Sequence, residues 1–273
     1  MALNDLVTVA NQKSYMSIPA TTVVTDGVLQ MLISAVSSSV LGYLNRETFL
    51  YRAITEKRSG VGGELMMLHK WPVVQVSSLI IDNVVIPEAP QNAITTQPIS
   101  QTTYQSGWLA NLWNGNPPGN PCQLRLAGYC YRRGNNNVVI DYTAGYLQTD
   151  PAFVIPVGGT YTVQAPLGGW IGDAVVTIAG QAAPSDAYTV SAGVYQFAPA
   201  YEGQEATVSY SYCPFDVQLA VMEIVNDRFA WRARPGIKSK GLAQQEQVSF
   251  DVQNSIPAWA KGALQPYMDV QLS

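Results

Sequence analysis

His69 is the only histidine in this 273-residue chain, so nucleophilic catalysis of the Ser-His-Asp or Cys-His kind would depend on it. Such catalysis needs an imidazole held beside a nucleophile. His69 stands at the end of a predicted strand, followed by Lys70 and Trp71, and the nineteen acidic residues form no paired-carboxylate motif. We therefore expect His69 to be structural or exposed, the chain to be no enzyme, and no cofactor to be bound.

Two other patterns that can carry chemistry have simpler structural explanations. Gly60-Val61-Gly62-Gly63 looks like a phosphate-binding loop, but it leads into a strand and not into the helix whose N-terminus would hold the anion. We expect it to connect a hairpin. Cys122, Cys130 and Cys213 are an odd number without Cys-x-x-Cys spacing, which predicts free, partly buried thiols. With one histidine beside them, we expect no metal site.

The most distinctive charge feature is a group of basic residues that closes a predicted helix and enters the next loop: Arg228, Arg232, Arg234, Lys238 and Lys240. Cations at a helix C-terminus complement its dipole, which is a sufficient structural explanation. The functional alternative is a docking surface for an acidic partner or for passing DNA. Aromatic residues anchor interfaces as well as cores, so the candidate partner-interface residues also include Trp231, Trp259 and Tyr267.

The composition excludes several classes of function. Only 12% of residues are charged while 47% are hydrophobic, which favours a surface covered by other subunits or a β-rich monomer solvated by neutral polar residues. The net charge of -4 argues against sequence-specific DNA binding. Polar residues interrupt the longest apolar run, Val28 to Leu44, so we expect no membrane span. The N-terminus lacks a signal peptide pattern, and we expect folding in a cytoplasm.

The fold class predicted from periodicity is α+β, with a helical core and antiparallel β hairpins. Apolar residues at helical spacing predict long helices near 25–46 and 216–234. Alternating patterns predict a hairpin joined by residues 59–63, a turn at Asp82-Asn83 that leads one strand into residues 84–86, a hairpin around residues 132–135, and a hairpin or loop at 237–252. From Phe153 to Tyr212 the chain has no Lys, Arg or His, and short β-type runs alternate with turn residues. This stretch predicts an inserted, small all-β domain.

Six segments occur in an order that is informative as a set: residues 7–16, 32–46, 71–79 (Trp-Pro-Val-Val-Gln-Val-Ser-Ser-Leu), 107–109, 138–146 (Val-Val-Ile-Asp-Tyr-Thr-Ala-Gly-Tyr) and 214–229 (Pro-Phe-Asp-Val-Gln-Leu and onward). Together they resemble the head-to-tail connector, or adaptor, family of tailed bacteriophages. In that family the Tyr-Thr-Ala-Gly-Tyr turn leads within a few residues into the Pro-x-Asp helix. Here some sixty β-type residues separate the two. The resemblance implies a connector domain at 1–150 and 213–273, with an inserted β domain at 151–212. If the β domain is inserted at that joint, Asp150 and Cys213 should lie close together.

The resemblance also implies a function and partners. It implies a ring, usually of twelve copies, between the portal of the DNA-filled capsid and the stopper or tail proteins of the virion neck. Genomic DNA would pass through the ring without sequence-specific binding, and assembly would take place in the host bacterial cytoplasm. In this scheme residues 237–252 and the C-terminal residues reach a neighbouring neck protein. The alternative is a carbohydrate- or receptor-binding phage structural protein that uses the 153–212 β domain.

Overall fold

The structure is a computed structural model that describes residues 4–89, 106–111, 123–162, 168–191, 193–232, 239–242, 246–249 and 256–269. Contacts between Cα atoms divide the chain into two units. The first unit is Met1–Phe49 with Gln148–Met268, and the second is Leu50–Leu147 with Asp269–Ser273. The first unit is therefore built from two separate stretches of sequence.

The described residues form four α-helices and seventeen strands. The helices are α1 (Val9–Tyr15), α2 (Asp26–Tyr43), α3 (Phe215–Trp231) and α4 (Ala258–Leu264). The strands are β1 (Arg52–Gly60), β2 (Leu65–Met67), β3 (Val73–Ile81), β4 (Val84–Ile86), β5 (Gly107–Asn111), β6 (Gln123–Ala127), β7 (Gly134–Ala144), β8 (Leu147–Thr149), β9 (Phe153–Val154), β10 (Thr160–Thr162), β11 (Gly168–Ile178), β12 (Gln181–Ala182), β13 (Tyr188–Ser191), β14 (Val194–Phe197), β15 (Glu205–Pro214), β16 (Ser239–Leu242) and β17 (Glu246–Ser249).

Helix α2 of the first unit forms because apolar side chains recur on one of its faces. Leu29, Ile33, Val36 and Val40 are all buried there, one turn after another. Helix α2 packs against α3, and α3 also packs against α4, β11 and β15. The apolar face of α2 is therefore part of the core that the helices of this unit share.

Strand β15 joins the helices of the first unit to its sheets. It pairs with β11, β8 and β9 in a sheet of order β12-β11-β15-β8, while β10, β14 and β13 form a second sheet. Its last residue, Pro214, is the N-cap of α3, so strand and helix follow one another without a loop. The side-chain amide of Gln218 donates to the Cys213 carbonyl oxygen (2.8 Å), which satisfies a buried acceptor at this junction.

The second unit is made of two antiparallel sheets. Strands β1, β7, β3 and β4 form one sheet in that order, and β2, β6 and β5 form the other. Buried side chains from both sheets make one hydrophobic cluster, which includes Leu79, Leu124, Tyr131 and Ile140. Strand β7 lies between β1 and β3 and supplies every second side chain to this cluster.

The predicted helical core is wrong, because the protein is β-rich and consists mostly of antiparallel sheets. Strands hold 38% of the residues and helical segments 27%. The two helices expected near 25–46 and 216–234 exist but are shorter, Asp26–Tyr43 and Phe215–Trp231. The sequence pattern predicts less β-structure than the protein contains, because irregular register in β1, β3 and β11 breaks the alternation that marks a strand in sequence.

Two predicted hairpins are also wrong. Strands β1 and β2, on either side of residues 60–63, pair with β7 and β6 and not with each other. Strands β6 and β7, on either side of residues 132–135, likewise belong to different sheets. The expected hairpins at Asp82-Asn83 and within 237–252 are present. Residues 60–63 and 132–135 therefore connect strands of different sheets, because these strands pair with strands from other parts of the sequence.

The position of Asp150, just before the predicted inserted domain, differs from the prediction. We expected Asp150 next to Cys213, but the backbone N–H of Asp150 donates to Val208 O (2.9 Å), five residues earlier on β15. The reason is that β8 pairs alongside β15 and does not end at the start of α3. The predicted domain limits at 151 and 212 stay a prediction. The contacts between Cα atoms place the strands between these limits and helix α3 in the same unit.

We predict that Gly145→Ala destabilises the second unit. Gly145 has a φ of +134°, and a Cβ there would lie 2.5 Å from Leu50 O and 2.5 Å from the Tyr51 Cα. The backbone conformation alone should cost about 1–3 kcal/mol, and the clash adds to that. Urea unfolding followed by fluorescence measures the loss of stability.

Gly62→Ala is the matched control for this substitution. Its φ is +90°, but the nearest atoms belong to the flexible Arg133 side chain at 3.4 Å. We expect a smaller loss of stability than for Gly145→Ala. Equal losses for the two variants would contradict the importance of the close backbone approach at Gly145.

Candidate functional site

A polar cluster in the second unit surrounds the buried carboxylate of Glu56 on β1. Glu56 lies opposite Ile140 of β7, and Tyr142 lies two residues further along, so both side chains share one face of the sheet. The Tyr142 hydroxyl donates to Glu56 Oε2 (2.7 Å), and Arg58 Nη1 donates to Glu56 Oε1 (2.9 Å). Nδ1 of His69 lies 3.0 Å from Glu56 Oε1. The sheet therefore brings the histidine to a carboxylate.

Both ring nitrogens of His69 lie within hydrogen-bond distance of a neighbouring side chain. Arg58 Nη1 lies 2.7 Å from His69 Nε2, and a guanidinium can only donate, so Nε2 accepts. Nδ1 is then the ring nitrogen that faces Glu56 Oε1. A catalytic base must turn one ring nitrogen towards a nucleophile. In His69 both ring nitrogens are occupied, so this arrangement connects strands and does not activate a nucleophile.

The carboxylate of Glu56 is saturated with donors. Besides the Arg58, His69 and Tyr142 side chains, the backbone N–H of His69 donates to Glu56 Oε2 (3.3 Å). Four donors match the four acceptor positions of a carboxylate. Burial and the neighbouring Glu56 raise the pKa of Tyr142 well above its usual range, so its hydroxyl remains a donor. Glu56 therefore holds the cluster together and has no acceptor position left for a substrate proton.

Lys70 extends this cluster to residue 269. Its Nζ lies 2.9 Å from Oδ2 of buried Asp269, and its backbone N–H donates to the Tyr142 hydroxyl (3.3 Å). Water screens an ion pair with one buried partner less than it screens a pair at the surface. This contact attaches Asp269 to the strands of the second unit.

A second, more exposed group of polar side chains crosses three strands of the same sheet. Asp141 of β7 accepts from Thr55 Oγ1 on β1 (2.6 Å) and from Ser78 Oγ on β3 (2.7 Å). These hydrogen bonds lower the pKa of the Asp141 carboxyl, Thr55 contributing most. These two hydrogen bonds connect the central strand β7 to β1 and to β3, and they use both carboxylate oxygens of Asp141.

The structure places part of the predicted basic surface at the end of α3. Arg228 and Trp231 are half-buried there, and Arg232 is exposed, with its guanidinium 4.4 Å above the centre of the Phe229 ring. This contact is a cation–π interaction, and it also covers an aromatic face. Three of the predicted residues cannot be placed as side chains, because they lie outside the described residues or, for Lys240, in a strand of which only the backbone is described: Arg234, Lys238 and Lys240.

The two C-terminal candidates have different environments. Trp259 of α4 is 51% exposed. Tyr267 is buried, and its hydroxyl donates to Asp216 Oδ2 (3.1 Å) while its carbonyl oxygen accepts from Arg46 Nε (2.6 Å). Burial and Asp216 raise the pKa of Tyr267 well above its usual range. The Trp259 side chain is therefore exposed at the surface, where another protein can contact it, whereas Tyr267 packs inside the first unit.

Sequence reasoning missed the outer faces of the long helices. Met31 of α2 is 64% exposed, and Phe215 of α3 is 59% exposed, followed one turn later by exposed Leu219. Between Gly27 and Tyr43, α2 carries no charged residue at all. The helical period that identified the buried face would also have shown that the opposite face lacks charge, but only the buried face was considered.

Five aromatic residues of the predicted inserted domain pack on one another. Phe153 and Tyr161 stack with ring centres 3.7 Å apart, and Phe197 meets Phe153 edge-on at 6.2 Å. Tyr188 lies against Phe197 and Tyr195 at about the same spacing. A sugar-binding platform presents an open aromatic face, and here one face of Phe153 and one of Tyr161 cover each other.

The remaining candidates for chemistry have ordinary surroundings. Cys130 is a free, exposed thiol and Cys213 a free, buried one, whose pKa is raised by burial; Cys122 lies outside the described residues. Among the residues that the structure describes, no three His, Cys, Asp or Glu side chains come together as metal ligands. None of the helices in the described part is long and apolar enough to cross a membrane.

We predict that Tyr142→Phe destabilises the second unit by about 1.5–3 kcal/mol, the usual contribution of a hydrogen bond to a charged group. The substitution leaves Glu56 Oε2 short of its strongest donor while the ring packing is kept. Chemical unfolding of the variant and the wild type gives the difference. Tyr129→Phe is the control, because Tyr129 is exposed, and we expect it to change stability by less than about 0.5 kcal/mol. Similar effects of the two substitutions would contradict the role of Glu56.

A prediction about pH follows from the hydrogen bonds that Asp141 accepts from Thr55 and Ser78. A lowered pKa in the folded state adds stability that is present above the unfolded pKa and is lost as the pH falls through the folded pKa. Thr55→Val with Ser78→Ala should raise the Asp141 pKa towards its usual range, as followed by carboxyl-carbon NMR. The double variant should be less stable than the wild type at neutral pH, and the gap should narrow below about pH 4. An unchanged Asp141 titration would refute this assignment.

The sequence matches no protein-family model and no curated protein at a significant level.

Proposed function

We propose that this chain is a structural protein of the bacteriophage neck. In this proposal it forms a ring adaptor between the portal of the DNA-filled capsid and the stopper or tail proteins, and its ring lines the channel for the genome. The observation that carries the proposal is the number of large apolar side chains that the folded chain leaves exposed, in a sequence with only 12% charged residues. The resemblance of six segments to connector proteins supplies the kind of assembly.

The exposed apolar side chains support subunit contacts. Val24 is 90% exposed and Val157 85%, and exposed residues on three of the helices add to them, Met31, Phe215 and Trp259 among them. The centres of protein interfaces are depleted in charge and enriched in apolar and aromatic side chains. The exposed residues therefore favour association with further protein surfaces.

The charge distribution is compatible with a channel for DNA. A net charge of -4 gives no general attraction for phosphate, so DNA can slide past such a surface. In the proposal, Arg232, which is exposed at the end of α3, contacts an acidic portal, stopper or tail protein. In the proposal the ring is part of the virion and assembles in the cytoplasm of the bacterial host.

The two competing functions have weaker support. The stacked Phe153 and Tyr161 rings offer a sugar less open aromatic surface than a binding platform would. The imidazole of His69 and the carboxylate of Glu56 are occupied by each other and by Arg58 and Tyr142. The structural role therefore accounts for more of the surface than either alternative.

The proposal predicts that the purified full-length chain forms closed rings. Light scattering over a range of concentrations should give a mass near twelve times the 29.6 kDa of one chain. Negative-stain electron microscopy of the same sample should show rings with a central opening. A single-chain mass at every concentration, with no rings visible, would refute the proposal. Binding of the same monomeric chain to a glycan array would favour the carbohydrate-binding alternative.

A further inference from the structure

Two sheets of the first unit meet beside a buried acid, Asp150. Phe153 of β9 stacks on Tyr161 of β10, so the sheet that contains β15 contacts the sheet that contains β10 and β14. Asp150 directly follows β8 and is only 8% exposed. Its backbone N–H donates to Val208 O of β15, which fixes the residue to the first of these sheets. The Asp150 side chain is therefore held close to the contact between the sheets.

Tyrosine side chains from both sheets lie around the Asp150 carboxyl group. Tyr210 of β15 is fully buried, and its hydroxyl donates to Asp150 Oδ1 (3.3 Å). Tyr161 of β10 lies close enough for the Asp150 charge to act on it, since burial and that charge raise the pKa of Tyr161. Tyr195 pairs with Tyr161 from β14, is fully buried and lies near Tyr210. A phenol with a pKa of about 10 or more is neutral in the pH range where a carboxyl group titrates.

The buried Asp150 carboxylate has no positive charge beside it. The sequence holds no Lys, Arg or His between Arg133 and Arg228, and no ion pair in the described part of the chain includes Asp150. Among the described residues, only the Tyr210 hydroxyl donates to the side chain. Glu56 is buried to the same extent but has the Arg58 guanidinium as a partner. A buried charge without such a partner is costly.

The two protonation states of Asp150 suit this position unequally. The neutral carboxyl group accepts from Tyr210 and has one O–H of its own to donate, so it can stay buried between neutral groups. The ionised group has about four acceptor positions and a single side-chain donor among the described residues. Burial accordingly raises the pKa of Asp150, and the Tyr210 hydrogen bond offsets only part of that rise.

We propose that Asp150 is a pH-dependent switch between the two sheets: protonated, it holds their contact closed, and ionised, it opens the contact to water. The switch belongs to the fold of the first unit and does not rest on the proposed ring. Its position just before β9 makes the region where β9 and β10 stack the part that loosens. The contact is firmest in acid and weakens as the pH rises.

The test compares the full-length wild type with Asp150→Asn by hydrogen exchange and mass spectrometry. Asparagine keeps the shape and the acceptor oxygen but cannot ionise. Because folding raises the Asp150 pKa, its stabilisation is complete below the unfolded pKa and is lost as the pH rises through the folded pKa. At pH 8, peptides that cover residues 147–155 and 205–214 should therefore exchange faster in the wild type than in the variant, after correction for intrinsic rates. This ratio of rates should exceed its value at pH 4 by about tenfold for each pH unit between the two pKa values.

Asp186→Asn is the matched control, because Asp186 is an exposed acid of the same region. It should exchange like the wild type at every pH. Tyr210→Phe removes the hydroxyl that favours the ionised form, so it should extend the pH-dependent range to higher pH. A ratio for Asp150→Asn that stays constant from pH 4 to pH 8 overturns the switch, and so does an equal change in Asp186→Asn. If Asp150→Asn does not fold, Tyr210→Phe decides: a profile that is unchanged or moves to lower pH overturns the proposal.

Discussion

The first unit depends on the continuity of one segment, from strand β15 through Pro214 into helix α3. Strand β15 lies between β11 on one side and β8 and β9 on the other, while α3 packs against α2, α4 and the sheet. A strand that turns into a helix without a loop transmits its orientation directly, since no flexible residue separates the two. The register of β15 therefore sets which residues of α3 face the core and which remain outside.

The polar groups buried near this segment show how tightly that register is fixed. Gln218 satisfies the Cys213 carbonyl, and Gln12 of α1 donates to the Met222 carbonyl (3.2 Å). Asp150 accepts from Tyr210 of β15 (3.3 Å), and burial raises the pKa of its carboxyl. Each of these groups would lose a partner if the strand or helix shifted by one residue. Unsatisfied buried polar groups are costly, so the alternatives are disfavoured.

The sequence was sufficient for features that depend on local periodicity and insufficient for those that depend on distant partners. Leu29, Ile33, Val36 and Val40 identify α2 by spacing alone, and the turn at Asp82-Asn83 identifies its hairpin. The sheets of the second unit needed information that local patterns lack, because β1 pairs with β7 some eighty residues away. A strand next in sequence looked like the natural partner of β1, yet the long β7 offers a more complete set of hydrogen bonds and buried contacts.

The candidate sites divide in the same way. The basic residues near the end of α3 stand out by type alone, and the sequence places Arg232 there without any structure. The Glu56 cluster could not be predicted, because its four side chains come from three separate segments that only the sheets bring together. A single clue was present: Glu56 occupies an inward position in β1, where a charged side chain needs a buried partner.

A ring subunit needs firm register more than a monomer does. Small errors in the angle between two interfaces accumulate around a closed ring, so the faces must be carried on rigid elements. Helix α2 packs against α3, and α3 packs against β11 and β15, so the helix pair is held on the sheet through α3. In the proposed ring, the continuity of β15 with α3 has a function beyond stability. It fixes the direction of Phe215 and Leu219, the first exposed apolar residues after the strand ends, relative to everything that the sheet supports.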